Sequence, residues 1–286
     1  MEIGIGLPTT LPGTTGDQVV EWAKGADAAG FSSLGTLDRL VYPNYEPLVA
    51  LGAVAAVTGR ARLTTAIALL PWRQNAALVA KQAASVHALS NGRLVFGVAV
   101  GARPDDFEAS GVPMKGRGKR MEEMLDEIKR LWAGEERGYA GGIGPDISDN
   151  PPSIILGGQA DAAFRRAAKY GDGWIMGGGP PEDFGPAREK LEAAFREAGR
   201  TDKPRAVAMT YFSLDDDAEE QTRRGIGHYY SFAPEYKELV VARTAKGEDG
   251  VRERVRAFEE RGCDELILFP ASPHAEQVDR LAALVL

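Results

Sequence analysis

Short apolar runs alternate along the whole chain with longer segments whose apolar positions recur every three or four residues. Residues 3–7 are a brief apolar run stopped by Pro8, the pattern of a buried strand. Asp17 is placed to cap a helix that carries Val20, Ala23, Ala26 and Ala29 on one face and ends at Gly30. Seven more strands are expected at 31–37, 63–70, 94–100, 153–156, 173–176, 205–214 and 265–269. Helices are expected between them, one opened by Pro47 and stopped near Gly59, others at 77–89, 160–170, 182–198, 218–230, 235–241 and 251–261, with a last one at 275–284. The clearest is 117–132, where Met121, Met124, Leu125, Ile128, Leu131 and Trp132 form one stripe. Its methionines therefore belong to the core rather than to a ligand. Residues 134–152, rich in Gly, Pro and Asp, read as a loop and as the best candidate for a mobile segment.

Eight strands alternating with helices can close as a barrel or lie open as a doubly wound sheet. An open dinucleotide-binding sheet should carry G-x-G-x-x-G after its first strand. That place holds Leu7-Pro8-Thr9-Thr10-Leu11-Pro12-Gly13, and its two prolines remove amides that a phosphate would need. The expected fold is a single-domain (β/α)8 TIM barrel over residues 1–286, a length suited to that architecture.

Charge and composition narrow the function. A net charge of −7 without a basic run argues against nucleic acid. No apolar stretch approaches the roughly 18 residues of a membrane span. The first residues lack the basic and apolar segments of a secretory leader. The single cysteine, Cys263, excludes an intrachain disulfide and fits a cytoplasmic protein. A small-molecule substrate is expected.

In such barrels the chemistry sits at the C-terminal ends of the strands. Strand two ends at Asp38-Arg39, a carboxylate and a guanidinium that could act in catalysis at an apolar mouth. Strand three offers the small residues Ala66 and Ala68, room for a flat ring, and then Trp72-Arg73. Strand four ends at Val100-Gly101, where glycine lets a ligand approach the main chain. Gly157-Gly158-Gln159-Ala160 ends strand five before a helix, and Gly177-Gly178-Gly179 ends strand six. Amides at a helix start, aided by the helix dipole, suit a phosphate, and the two clusters could form one anion cup. His87, His228 and His274 show no metal-ligand spacing, and no serine elbow is present. Cys263 precedes the last strand, at the end opposite the chemistry. A phosphate cup without a strong acid, base or nucleophile points to a bound cofactor.

Several segments, in this order and spacing, resemble the luciferase-like flavin-dependent oxidoreductase superfamily. They are Ile3-Gly4-Ile5-Gly6-Leu7-Pro8, Ala28-Ala29-Gly30-Phe31, Leu89-Ser90-Asn91-Gly92-Arg93-Leu94, Gly97-Val98-Ala99-Val100-Gly101 and Arg117-Gly118-Lys119-Arg120-Met121-Glu122-Glu123. The strongest is Ile155-Leu156-Gly157-Gly158 followed by Ala167-Ala168-Lys169-Tyr170-Gly171-Asp172-Gly173-Trp174. The resemblance implies reduced FMN or coenzyme F420, its phosphate end at Gly157, Gly158, Gln159 and Ala160 with Gly177 and Gly178 adjacent. It implies a ring against strands three and four, a non-prolyl cis peptide near Ala66-Ile67, and cofactor contacts at Asp38, Val100 and Gly101. It also implies a homodimer. Sugar-phosphate-oxidising members carry a His and a Glu where this chain has Arg39 and Ala102, so that reaction is not expected. The span between Trp132 and Ser153 is short for the family, which is expected to open the mouth or change its lid.

The leading function is then a monooxygenase using reduced FMN and O2 on a small organic substrate, with a separate flavin reductase as a possible partner. An F420-dependent hydride-transfer enzyme and a non-catalytic flavin-binding barrel are the alternatives. Trp72, Phe107, Tyr211 and Phe212 are candidates for an apolar wall, and Arg73 or Arg39 for holding an anionic substrate.

Overall fold

The computed structural model describes residues 1–139 and 141–286. Its strands, in order, are β1 (Glu2–Gly6), β2 (Ser33–Thr36), β3 (Arg62–Thr65), β4 (Ala68–Leu69), β5 (Leu94–Ala99), β6 (Ser153–Gly157), β7 (Gly173–Met176), β8 (Arg205–Ser213), β9 (Ala245–Lys246) and β10 (Glu265–Pro270). All pair in parallel, and the ring β1, β2, β3, β5, β6, β7, β8, β10 returns to β1. The molecule is therefore a closed eight-stranded barrel. The expected third strand is split into β3 and β4, and β9 pairs with the far end of β8.

The helices are α1 (Gly16–Ala29), α2 (Pro47–Ala55), α3 (Ala76–Leu89), α4 (Pro104–Ser110), α5 (Arg117–Trp132), α6 (Asp161–Tyr170), α7 (Phe184–Glu197), α8 (Ala218–Arg224), α9 (Ile226–Tyr229), α10 (Pro234–Arg243), α11 (Gly247–Glu259) and α12 (Glu276–Val285). The cap of α1 is Thr15, not Asp17: its hydroxyl accepts from the Gln18 amide while the Gln18 side chain takes the Thr15 amide. Asp17 lies inside the first turn, where its charge favours the helix dipole. Helix α4 was not visible in the periodicity because it is only two turns long and shows few apolar positions.

Strand alternation divides the apolar residues into two cores. Ile3, Ile5, Leu34, Leu63, Phe96, Leu156 and Trp174 face the helices, and Met121, Met124 and Leu125 of α5 meet them there. Ala66, Ile155, Ile175, Val207, Met209, Tyr211, Ile267 and Phe269 fill the barrel. The ring of Phe269 occupies space that side chains on β1 and β2 would need. A Cβ on Gly6 would lie 2.1 Å from it, and one on Gly35 2.9 Å. Only glycine permits that close approach.

The N-terminal end of the barrel is closed by charge. Glu265 accepts from Ser32 at 2.6 Å and Arg205 at 2.9 Å and pairs with Arg62 at 3.2 Å, and both arginines also pair with Glu2. Cys263 sits at this end, buried, its thiol pushed up to about 12 by burial. The thiol is thus not an activated nucleophile.

Residues 134–152, apart from Ala140, which lies outside the described residues, run along the outside of α3 and α5. Lys81 Nζ donates to the Gly144 carbonyl at 3.0 Å, His87 Nε2 meets the Asn150 carbonyl at 2.8 Å, and Ile147 is buried. A segment between a helix and the next strand lies at the N-terminal face, so it neither opens nor covers the mouth.

Candidate active site at the barrel mouth

Asp38 leaves the end of β2 pointing into protein. Its Oδ2 accepts from the Leu69 amide at 2.7 Å and from Arg73 Nη2 at 2.8 Å, while Oδ1 is buried without a partner. Burial pushes its carboxyl above the usual aspartate range, against the pull of Arg73. Arg73 is shared with Glu46 at 2.6 Å and stacks on Trp72, 4.6 Å from the ring centroid. Asp38 thus takes the main-chain amide released where the third strand breaks.

The break itself is at Ala66-Ile67. Both residues join the inner core, and two neighbours on one face mark a bulge. Ala68 consequently turns outward into the helix-facing core, so only Ala66 of the two expected small residues lines the interior. The expected cis peptide is not there. Among the described residues the cis bond is Gly144–Pro145.

Arg39 is not free for a ligand. Its Nε lies 3.1 Å from Asp106 and its Nη2 2.6 Å from Asp105, with its side chain only 3% exposed. Asp106 also accepts from the amides of Leu40 and Val41. The guanidinium therefore anchors the β2 loop to α4. Trp72 and Phe107 pack with Val112 in a small separate cluster, and Phe212 faces the helices; of the expected apolar wall only Tyr211 lies in the barrel. Val100 leans on the outer core, and Gly101, at φ +74°, turns the chain toward α4.

The glycine clusters do meet at one rim. Gly157 closes β6 and faces Ile67: a Cβ there would come 2.6 Å from Ile67 Cδ1. Gly158, at φ +121°, turns the chain into α6, and Trp174 Nε1 holds its carbonyl at 2.7 Å. Helix α6 follows Ala160, whose side chain cannot cap it. The Ala163 amide turns back to the Ala160 carbonyl at 2.7 Å, which leaves the Asp161 and Ala162 amides for solvent or a ligand. Gln159 and Ala160 are exposed, and around Gly177 a Cβ would meet nothing within 4 Å. The Gly178 amide is directed to Met209 Sδ at 2.9 Å and is less available. Asp161 in the same first turn is paired with Lys190 at 3.0 Å, which softens its repulsion of an anion.

The mouth is covered from the β8 side by residues 218–243, a lid whose role periodicity did not reveal. Ile226, Tyr229 and Val240 belong to the barrel-filling core. Tyr211 and Tyr230 share a hydrogen bond at 2.9 Å, and Tyr42 meets His228 Nδ1 at 2.6 Å. Burial raises the Tyr211, Tyr229 and Tyr230 phenols well above their ordinary value, so all three stay protonated.

The model of the family described as luciferase-like monooxygenase matches residues 1–285. The chain belongs to this family. An uncharacterized protein of Mycobacterium tuberculosis is 34% identical over 225 residues, covering 68% of this chain and 77% of that one. A 5,10-methylenetetrahydromethanopterin reductase of Archaeoglobus fulgidus is 31% identical over 157 residues, 52% of this chain and 47% of that enzyme. Among solved structures, an F420-dependent secondary alcohol dehydrogenase bound to an F420-acetone adduct superposes with a TM-score of 0.82 at 19% identity, covering 99% of this chain and 98% of that one. That F420-dependent enzyme shares the fold of this chain.

Proposed function

We propose that this chain is an F420-dependent oxidoreductase that moves a hydride to or from a small organic substrate at the barrel mouth. The observation that carries the reading is the uncapped start of α6 beside Gly157, Gly158 and Gly177 at the C-terminal rim. Gly158, Gln159, Ala160 and the amides of Asp161 and Ala162 would hold the phosphate end of the coenzyme. When bound, that coenzyme would supply the two-electron chemistry, which no side chain of the mouth can supply.

The chain's own groups have three tasks. Ala66, Ile67 and Gly157 would form an apolar floor for a flat ring. Asp38, fixed by Arg73 and the Leu69 amide, keeps Oδ1 free to accept a hydrogen bond from a ligand. The lid tyrosines keep water from the floor, which strengthens every polar contact made there. The acid/base pair of sugar-phosphate oxidation has no counterpart, because Arg39 is engaged by Asp105 and Asp106 and Ala102 has no titratable group.

An F420-dependent dehydrogenase of the same fold supports F420, and a reductase among the relatives supports a reduction or oxidation without O2. The FMN- and O2-dependent monooxygenase, the leading reading on sequence, is kept as the second reading. That second reading is supported by the family's description and by the water-excluding aromatic lid, and there a separate reductase would supply reduced FMN.

Equilibrium titration of F420 and FMN into the protein, followed by turnover of a panel of alcohols, aldehydes and ketones under nitrogen and under air, tests both. The expected outcome is tighter binding of F420 and turnover indifferent to O2. Preferential FMN binding with O2-dependent turnover would transfer the assignment to the second reading. Binding of neither would remove both.

A further inference from the structure

One guanidinium at the mouth is left unanswered by the chain's own acids. Arg103 follows the Gly101 turn between β5 and α4. Its Cζ lies 3.5 Å from the ring centroid of Phe232, 4.9 Å from Tyr229 and 5.6 Å from Tyr230, all on the lid. Its Nη1 is buried and has no hydrogen-bond partner. Among the described residues it makes no ion pair, whereas Arg39 and Arg73 each hold two carboxylates. Asp105, two residues along the chain, is turned to Arg39 instead.

This arrangement is unfavourable as it stands. A buried N–H without an acceptor loses its hydration and receives nothing in return. Aromatic faces recover part of that loss through their quadrupoles. They offer no lone pair to the N–H groups in the guanidinium plane, which remain suited to two parallel bonds from a planar oxyanion. Arg39 also approaches Phe232, at 5.4 Å, but it arrives neutralised and does not compete for an anion.

We propose that Arg103 is the anion-recognition residue of the mouth and selects small organic acids, gripping a substrate carboxylate while the lid aromatics cover the acid's apolar body. The inference deepens the oxidoreductase reading by naming its substrate class.

Calorimetric titration of benzoate and phenylacetate, each beside its uncharged amide, into the unliganded and coenzyme-loaded protein provides the test. The carboxylates should bind at least about tenfold more tightly than the amides. R103Q should erase that preference while leaving coenzyme affinity unchanged. R103M, which keeps the aliphatic packing against Phe232, gives the same reading if the glutamine variant folds poorly. An equal affinity for acid and amide in the unaltered protein, or a preference that survives in either variant, overturns the proposal. Because the unliganded protein is titrated as well, failure of both coenzymes to bind would remove the oxidoreductase reading while the acid preference still reported on Arg103.

Discussion

The residues of the rim differ in what a substitution would report. Gly158 sits at φ +121°, and a Cβ there would lie 3.0 Å from Ala163, so any replacement strains the backbone as well as the cup. Gly177 is free of both problems. Gly177→Asp is expected to leave thermal unfolding of the unliganded protein within a degree or two (roughly, as for an exposed substitution) and to weaken coenzyme binding by about tenfold or more through charge repulsion. Unchanged affinity by titration would show that the phosphate lies elsewhere. Asp38 is different, since it ties β2, the strand break and Arg73 together. Asp38→Asn leaves the buried Arg73 with Glu46 alone and should cost about 3 kcal/mol of stability, the low end for a broken buried pair. Chemical denaturation would measure it. Asp38 and the glycine clusters were legible in the sequence because they are strand-end residues of distinctive type. The engagement of Arg39 was not, because its partners Asp105 and Asp106 lie 66 and 67 residues away.

At the scale of elements, the strands and most helices follow from periodicity, but their assignments to mouth or base do not. The Gly- and Pro-rich 134–152 segment drew attention by composition, yet its described residues pack against α3 and α5. The covering role fell to 218–243, read from sequence only as further helix. Its tyrosines reveal their purpose when Tyr229 and Ile226 are seen inside the barrel-filling core. Tyr230→Phe removes the partner of the buried Tyr211 hydroxyl and should destabilise by about 1–3 kcal/mol. The loss is expected first as faster proteolytic cleavage within 218–243, because a lid opens at lower free energy than the barrel. Cleavage at the unaltered rate would show that the Tyr211–Tyr230 bond does not hold the lid.

For the whole molecule, closure of the ring joins β1, the first strand, to β10, the last. The cluster of Glu2, Arg62, Arg205 and Glu265 links four of its strands at the N-terminal end. Burial alone would raise the Glu265 carboxyl, but Arg62, Ser32 and Arg205 outweigh it and hold the group below the ordinary glutamate value. A depressed folded-state value means the contribution is complete above the unfolded glutamate pKa and disappears as pH falls through the folded one. Thermal stability should therefore fall on acidification below the ordinary glutamate range. Glu265→Gln should be less stable at neutral pH and show a shallower acid decline. An equally steep decline in both proteins would place the acid sensitivity in other carboxylates.

The sequence by itself determined the repeating strand–helix order and the glycines at the rim, because periodicity, turn chemistry and backbone sterics act over a few neighbouring residues, whereas closure of the barrel needs the first strand to meet the last. Tertiary structure alone decided which charges are spent and which remain. Arg39, Arg73 and Arg103 are chemically alike, and only their distances to acids brought near by the fold separate two anchored cations from one left open to a ligand.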